Sequence, residues 1–261
     1  MGKIQISGKI IETKAVAFDK DGTLFQATPF WQEIDRLRKS KFSQIVGKKY
    51  EPLWEKAVGF IPPNQVDFKG LLAVASEEEE IIVVASLLYQ IKKYPWHRCK
   101  ELATTIFEKS NEQLSIEQAF HPIQGVTECI ISLQKEGIYT GILTSDNKVR
   151  TKKCIDLLNI PSFQFLFTPE DVENGKPYPE MITKACEQLA IKSNELVMIG
   201  DTVVDVKMAK DAGSIAVGIA NHEHAIKELT PYADFIITDY NDIQVLTKKD
   251  SRQSLSTASI S

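Results

Sequence analysis

Ala15-Val16-Ala17-Phe18-Asp19-Lys20-Asp21-Gly22-Thr23-Leu24 decides the fold, because a short apolar run breaks here into two carboxylates. Val16 and Phe18 carry the β-branched and aromatic character of a buried strand, and the polar break after Phe18 marks its C-terminal end. In open α/β sheets, binding groups gather at such ends. Alternation at the strand end would turn Asp19 and Asp21 to one side of the mouth and Lys20 away. Two carboxylates in one small volume repel, and a hard divalent cation with oxygen ligands, such as Mg²⁺, is the usual answer. Gly22 permits a sharp turn and Thr23 adds a hydroxyl. Alone, Asp-Lys-Asp-Gly-Thr also reads as a polar turn, so the weight falls on what lies downstream.

With 261 residues the chain is long for one core, so a large α/β domain, or a core with a second smaller domain, is expected. Hydrophobic residues make up 43% and charged residues 25%, ordinary values that allow a substantial core. The net charge is −4 and no long basic run interleaved with aromatics occurs, which argues against a nucleic-acid partner. Cys99, Cys129, Cys154 and Cys186 are far apart, with no Cys-x-x-Cys, and read as packed thiols of a reducing compartment. No stretch has the pattern of a secretory leader or the ~18 apolar residues of a membrane span. These features describe a soluble, cytoplasmic protein with no membrane partner.

Upstream of the central run, residues 3–13 alternate around Ser7-Gly8 as a hairpin would. From Pro29 to about Phe120 the spacing predicts successive helices: Trp31, Ile34, Leu37, Phe42 and Ile45 up to Gly47, then Glu51 to Val58 before the break at Gly59–Pro63. Ser76 with Glu79 forms a capping-box pattern opening a helix to about Tyr94, so the acidic run 77–80 has a structural reading. A helix from Pro95 to Ser110 and a short one from Ser115 follow. Trp31, Trp54 and Trp96 read as core of this helical insert.

From Gly125 helices and strands alternate, the pattern of a parallel sheet covered on both faces. Helix 126–135, strand 139–143, helix 149–158, strand 163–167, helix 180–189, strand 196–199, helix 204–210, strand 215–219, helix 223–229 and strand 235–238 are expected, with a short helix after Asn241. The tail 248–261 is rich in Ser, Thr and Lys and reads as disordered.

Four polar groups thus fall at the strand ends: Asp19 with Asp21, Thr144, the loop with Lys176, and Asp201 with Asp205. In a parallel sheet all such ends share one edge, so a nucleophile, a second carboxylate, a hydroxyl, an ammonium and an acidic metal clamp would meet. That set suits phosphoryl transfer, which needs charge neutralised and a nucleophile held in line.

Asp19-Lys20-Asp21-Gly22-Thr23-Leu24, Thr144 after an apolar strand, Gly175-Lys176-Pro177 and Gly200-Asp201-Thr202-Val203-Val204-Asp205 resemble, in order, the four motifs of the haloacid dehalogenase-like (HAD) superfamily. Ala209 with Ala212-Gly213 resembles its phosphoglycolate phosphatase subgroup. The resemblance spans roughly residues 14–246. It implies a HAD-like, doubly wound parallel α/β core (Rossmann-like) of residues 1–25 and 122–247, with 3–13 as a decoration, and an inserted all-helical cap over 26–121.

The resemblance further implies that Asp19 attacks phosphorus to form an aspartyl-phosphate, and that Asp21 serves as general acid and then base. Thr144 would bind a phosphate oxygen, and Lys176 would offset charge. Mg²⁺ would be held by Asp19, the Asp21 carbonyl and Asp201, with Asp205 acting directly or through water. Thr144 or Ser145 could instead cap a helix, and Asp146 and Asn147 read as peripheral. Lys20 stands where the family often has an apolar residue, and would face a neighbouring loop or acidic group away from the phosphate. His97, His121, His222 and His224 read as surface or packing residues.

The expected function is Mg²⁺-dependent hydrolysis of a small phosphorylated metabolite, phosphoglycolate being the leading guess from the resemblance. The alternatives are a sugar-phosphate mutase using Asp19 and Asp21, a phosphonate hydrolase needing a Schiff-base lysine in the cap, and a non-catalytic binding protein on the same fold.

Overall fold

The computed structural model describes residues 1–220 and 223–247; the tail expected to be disordered and His222 lie outside the described residues. The chain opens with strands β1 (Gly2–Ile6), β2 (Lys9–Thr13) and β3 (Ala15–Phe18) and helices α1 (Ala27–Val46) and α2 (Glu51–Val58). Strands β4 (Phe60–Ile61) and β5 (Gln65–Val66) precede helices α3 (Leu71–Val74), α4 (Glu77–Lys92), α5 (Trp96–Gln113), α6 (Ile116–Ala119) and α7 (Val126–Lys135). Then come β6 (Tyr139–Leu143), α8 (Lys148–Ile155), β7 (Phe165–Phe167), α9 (Glu180–Leu189), β8 (Leu196–Gly200) and α10 (Val203–Ala212). The chain closes with β9 (Ile215–Ile219), α11 (Glu223–Leu229), β10 (Phe235–Ile237) and β11 (Ile243–Leu246).

Two compact units emerge, one of residues 1–25, 122–144 and 155 onward, the other of 26–121 with 145–154. The first holds a six-stranded parallel sheet in the order β10-β9-β8-β3-β6-β7. Every residue of β3 and β8 is buried, as strands covered on both faces must be. Ala15 and Ala17 share a core with Met181, Ile182, Val206 and Met208 of the covering helices. Helix α10 stops at Gly213, which sits at φ 73°, a left-handed position that glycine adopts without steric cost.

The N-terminal hairpin forms as expected, with Ser7 and Gly8 at positive φ. Near the end of the described residues, the expected short helix is a single 3-10 turn, Tyr240–Asp242, and the chain then forms the strand β11, antiparallel to β1. Local spacing could not reveal that partner, which lies at the opposite end of the chain.

In the second unit, Ser76 caps α4 with its full capping box, and Gly59 closes α2 in the left-handed region. The Gly59–Pro63 break carries a small ribbon, β4 with β5. Glu77 and Glu80 have charged partners: Arg38 of α1 reaches Glu80 through Nη1 at 2.8 and 2.9 Å, and Glu77 through Nη2 at 3.2 Å. Asn147 accepts the N–H of Arg150 at 2.8 Å in the first turn of α8. Arg150 pairs with Asp146 and donates to Asn111 at 2.8 Å. Trp31 and Trp54 are core residues, and Trp54 donates to Asp35 at 2.8 Å. Trp96 is not: it is 45% exposed at the start of α5, where the first turn has yet to enter the bundle.

All four cysteines are buried and none is in a disulfide. Burial pushes the Cys129 thiol up to about 12, which keeps it neutral. His97, His121 and His224 are exposed, the last beside Glu228 at 3.2 Å. Among the described residues, no helix is long and apolar enough to cross a membrane.

Candidate active site

The motif residues converge within the first unit. Strand β3 lies between β6 and β8, with Phe18 level with Ile142 and Ile199, so the chain emerges at Asp19 beside Thr144 and Gly200-Asp201. The N–H of Asp19 still bonds to Ile199 O at 2.9 Å, which fixes the nucleophile candidate to the neighbouring strand. Thr144 is buried one residue past β6, its N–H on Phe167 O.

Asp19, Asp201 and Asp205 each bring a carboxylate oxygen within 4.8 Å of the others. Lys176, from the loop between β7 and α9, lies 2.5 Å from Asp19 Oδ1 and 2.6 Å from Asp205 Oδ1. The other oxygen of Asp205 accepts from the Thr202 N–H at 3.1 Å and its hydroxyl at 2.5 Å, the capping box of α10. Asp205 is therefore held on both oxygens, whereas Asp201 accepts a long contact of 3.4 Å from Thr23.

The electrostatics follow from this crowding. Burial, with the charges of Asp205 and Asp21, raises Asp19 to about 7 despite the opposing pull of Lys176. Burial and the charges of Asp19 and Asp205 also raise Asp201 well above the ordinary carboxylate range. Burial alone would lower Lys176, but Asp19 and Asp205 outweigh it and hold the ammonium protonated.

A divalent cation fits this place. The donors are all oxygens, the choice of a hard ion, and burial with the charges of Asp19 and Asp205 pushes Asp201 up. The backbone also makes room: Gly22 has φ +83°, and a Cβ there would lie 2.0 Å from Asp201 Oδ2. A Cβ on Gly200 would lie 2.3 Å from Asp205 Cβ. Both glycines let the carboxylates close on one point.

The side chain of Asp21 stands outside that cluster. Lys20 is fully buried and its Nζ lies 2.5 Å from Asp21 Oδ1. Lys20 thus meets an acidic group, and the charge of Asp21 still reaches Asp19. Sequence reasoning also missed Thr202 and Tyr240. Thr202 was legible as a Thr-x-x-Asp cap; Tyr240, whose hydroxyl donates to Thr23 O at 2.9 Å, carries no local signal.

A parallel α/β sheet with a buried lysine and a metal-capable trio of aspartates at its C-terminal edge defines a hydrolase-type group-transfer site. The chain belongs to the haloacid dehalogenase-like hydrolases, whose family profile matches residues 13–213. It is 22% identical over 249 residues to a phosphoglycolate phosphatase of Shigella boydii, covering 90% of this chain and 92% of that one. Over 101 residues, 38% of each chain, it is 36% identical to a phosphonoacetaldehyde hydrolase of Bacillus cereus. The crystal structure of a predicted phosphoglycolate phosphatase from Haemophilus somnus shares the fold, with TM-score 0.63 at 19% identity over 88% of this chain and 96% of that one. Strands β1 and β11, like β9 and β10 of the core sheet, fall outside the matched span.

Proposed function

We propose that this protein is a Mg²⁺-dependent phosphomonoester hydrolase acting on a small phosphorylated metabolite through an aspartyl-phosphate. The observation that carries the reading is Lys176 bridging Asp19 and Asp205 inside the carboxylate cluster. A nucleophile with an ammonium fixed against it suits attack on an anionic phosphate, since the cation offsets charge as the anions approach.

Asp19 attacks the phosphorus while Asp21 protonates the leaving oxygen. Asp21 then takes a proton from the water that hydrolyses the phosphoryl-aspartate, splitting one hard step into two. The Thr144 hydroxyl bonds a phosphate oxygen. Asp19, the Asp21 carbonyl and Asp201 would hold Mg²⁺, with Asp205, occupied by Lys176 and Thr202, positioning the lysine and acting on the ion directly or through water. When bound, the ion supplies positive charge to the phosphate oxygens. Similarity to a phosphoglycolate phosphatase over nine-tenths of the chain supports phosphoglycolate as the first substrate to try.

The test is Asp19→Asn with an aryl phosphate in Mg²⁺. Turnover is expected to fall by at least about 10³-fold, since a carboxamide is a far weaker nucleophile. Unchanged turnover would refute the assignment. Inorganic phosphate should accumulate with phosphoglycolate; interconversion of sugar-phosphate isomers without its release would instead favour a mutase.

A further inference from the structure

Helices α4 and α5 pack against each other and are joined by the short turn Lys93-Tyr94-Pro95. From Lys92 to Lys100 the chain carries Lys92, Lys93, Arg98 and Lys100 and no Asp or Glu, in a protein whose net charge is −4. Tyr89, Tyr94 and Trp96 beside them are 47%, 40% and 45% exposed. These rings stand on ordered backbone: the Lys93 N–H donates to Tyr89 O at 2.9 Å, and the N–H of the buried Cys99 donates to Pro95 O at 3.1 Å.

Helix stability calls for only part of this charge. Lys92 suits the C-terminal turn of α4, where a cation complements the helix dipole. The first turn of α5 favours acids and has none; His97 and Arg98 occupy it instead, with Lys100 just beyond. Arg98 lies 3.7 Å from Glu101, an exposed contact of little worth. The composition also distinguishes between partners. Protein interfaces are enriched in Tyr, Trp and Arg but depleted in Lys, and three of these four cations are lysines. Tyr and Trp beside lysines instead match a bilayer surface, where rings settle at the headgroups and cations lie against anionic lipid.

We propose that the turn between α4 and α5 docks this protein on an anionic membrane surface, with Tyr94 and Trp96 entering the headgroup layer and Lys93, Arg98 and Lys100 pairing with lipid phosphates. The contact is peripheral, since among the described residues no helix is long and apolar enough to cross a membrane. The patch shares no residue with the candidate active site, so it stands whether or not the hydrolase reading does.

The experiment compares vesicles of phosphatidylcholine containing about one-third phosphatidylglycerol with vesicles of phosphatidylcholine alone, by co-sedimentation and tryptophan emission. Trp31 and Trp54 are core residues, so a change in emission reports Trp96. Emission should move to the blue with the anionic vesicles only, and Trp96→Phe should abolish that shift while the protein still sediments. Lys93 sits at φ 57°, a left-handed position that asparagine also takes. Lys93→Asn with Lys100→Gln should therefore keep the melting midpoint and lower partitioning about 30-fold, about fivefold for each charge removed. Raising salt from about 0.1 to about 0.5 M should release the wild type.

No binding, equal binding to both vesicle types, or anionic binding untouched by the lysine substitutions would overturn the inference. Binding to single-stranded RNA or to polyglutamate without binding to the vesicles would also overturn it, and would assign the patch to a nucleic-acid or acidic-protein partner. If the double variant does not fold, Lys100→Gln alone carries the comparison, with a loss of about fivefold expected.

Discussion

Lys176→Met removes an ammonium lying 2.5 Å from one buried carboxylate and 2.6 Å from another. Breaking a buried pair from one side leaves uncompensated charge and costs about 3–5 kcal/mol. The protein can relieve that cost by protonating Asp19, whose pKa already stands at about 7 in the ion-free site. The sign follows from linkage. A carboxyl raised in the folded state contributes stability that is fully present below its unfolded value, near 3.8, and that is lost as pH rises through the folded value. In the wild type that loss is complete a little above pH 7. Without Lys176 the folded value climbs further, each unit being worth about 1.4 kcal/mol, so the loss continues into the alkaline range. Urea unfolding followed by circular dichroism in EDTA should thus show a small gap between wild type and variant at mildly acidic pH. From pH 7 upward the gap should widen by about 1.4 kcal/mol per pH unit, adding about 1.4 kcal/mol by pH 8 and approaching the full ~3–5 kcal/mol only two to three units above pH 7. Millimolar Mg²⁺ should stabilise the variant more than the wild type, since it restores positive charge among the aspartates. Equal stabilities at pH 8, or a gap that does not change with pH, would refute the reasoning.

Gly22→Ala forces a side chain into a left-handed position at about 1–2 kcal/mol and drives its Cβ against Asp201, 2.0 Å from Oδ2. The Mg²⁺ concentration giving half the thermal stabilisation should rise at least about tenfold, equivalent to about 1.4 kcal/mol, and an unchanged midpoint would show that Asp201 does not hold the ion. Burial raises Glu80 to about 7 against the pull of Arg38, so its contribution to stability falls as pH climbs from its unfolded 4.5 through 7. Glu80→Gln should remove that component, up to about 3 kcal/mol between pH 5 and 7.5 in urea unfolding; identical pH slopes in both proteins would exclude it.

Much of this protein is readable along the chain because the forces involved are local. The apolar runs of β3 and β8, the Ser76 and Thr202 capping boxes and the stop at Gly213 act within a turn or a strand. The same holds for the chemical inventory, since Asp19, Lys176, Asp201 and Asp205 carry the right groups wherever they end up. What only the tertiary structure decided are pairings between distant or newly turned segments. Strand β11 against β1, Tyr240 on Thr23 O and Arg38 on Glu80 join residues with no periodicity in common. Lys20 is a further case: the sequence allows it a loop or an acidic group as neighbour, and the folded chain selects Asp21 beyond the end of the strand at Phe18. A side chain's direction past the end of a strand is set by the turn and by what fills the core around it, and neither is written in the residue itself.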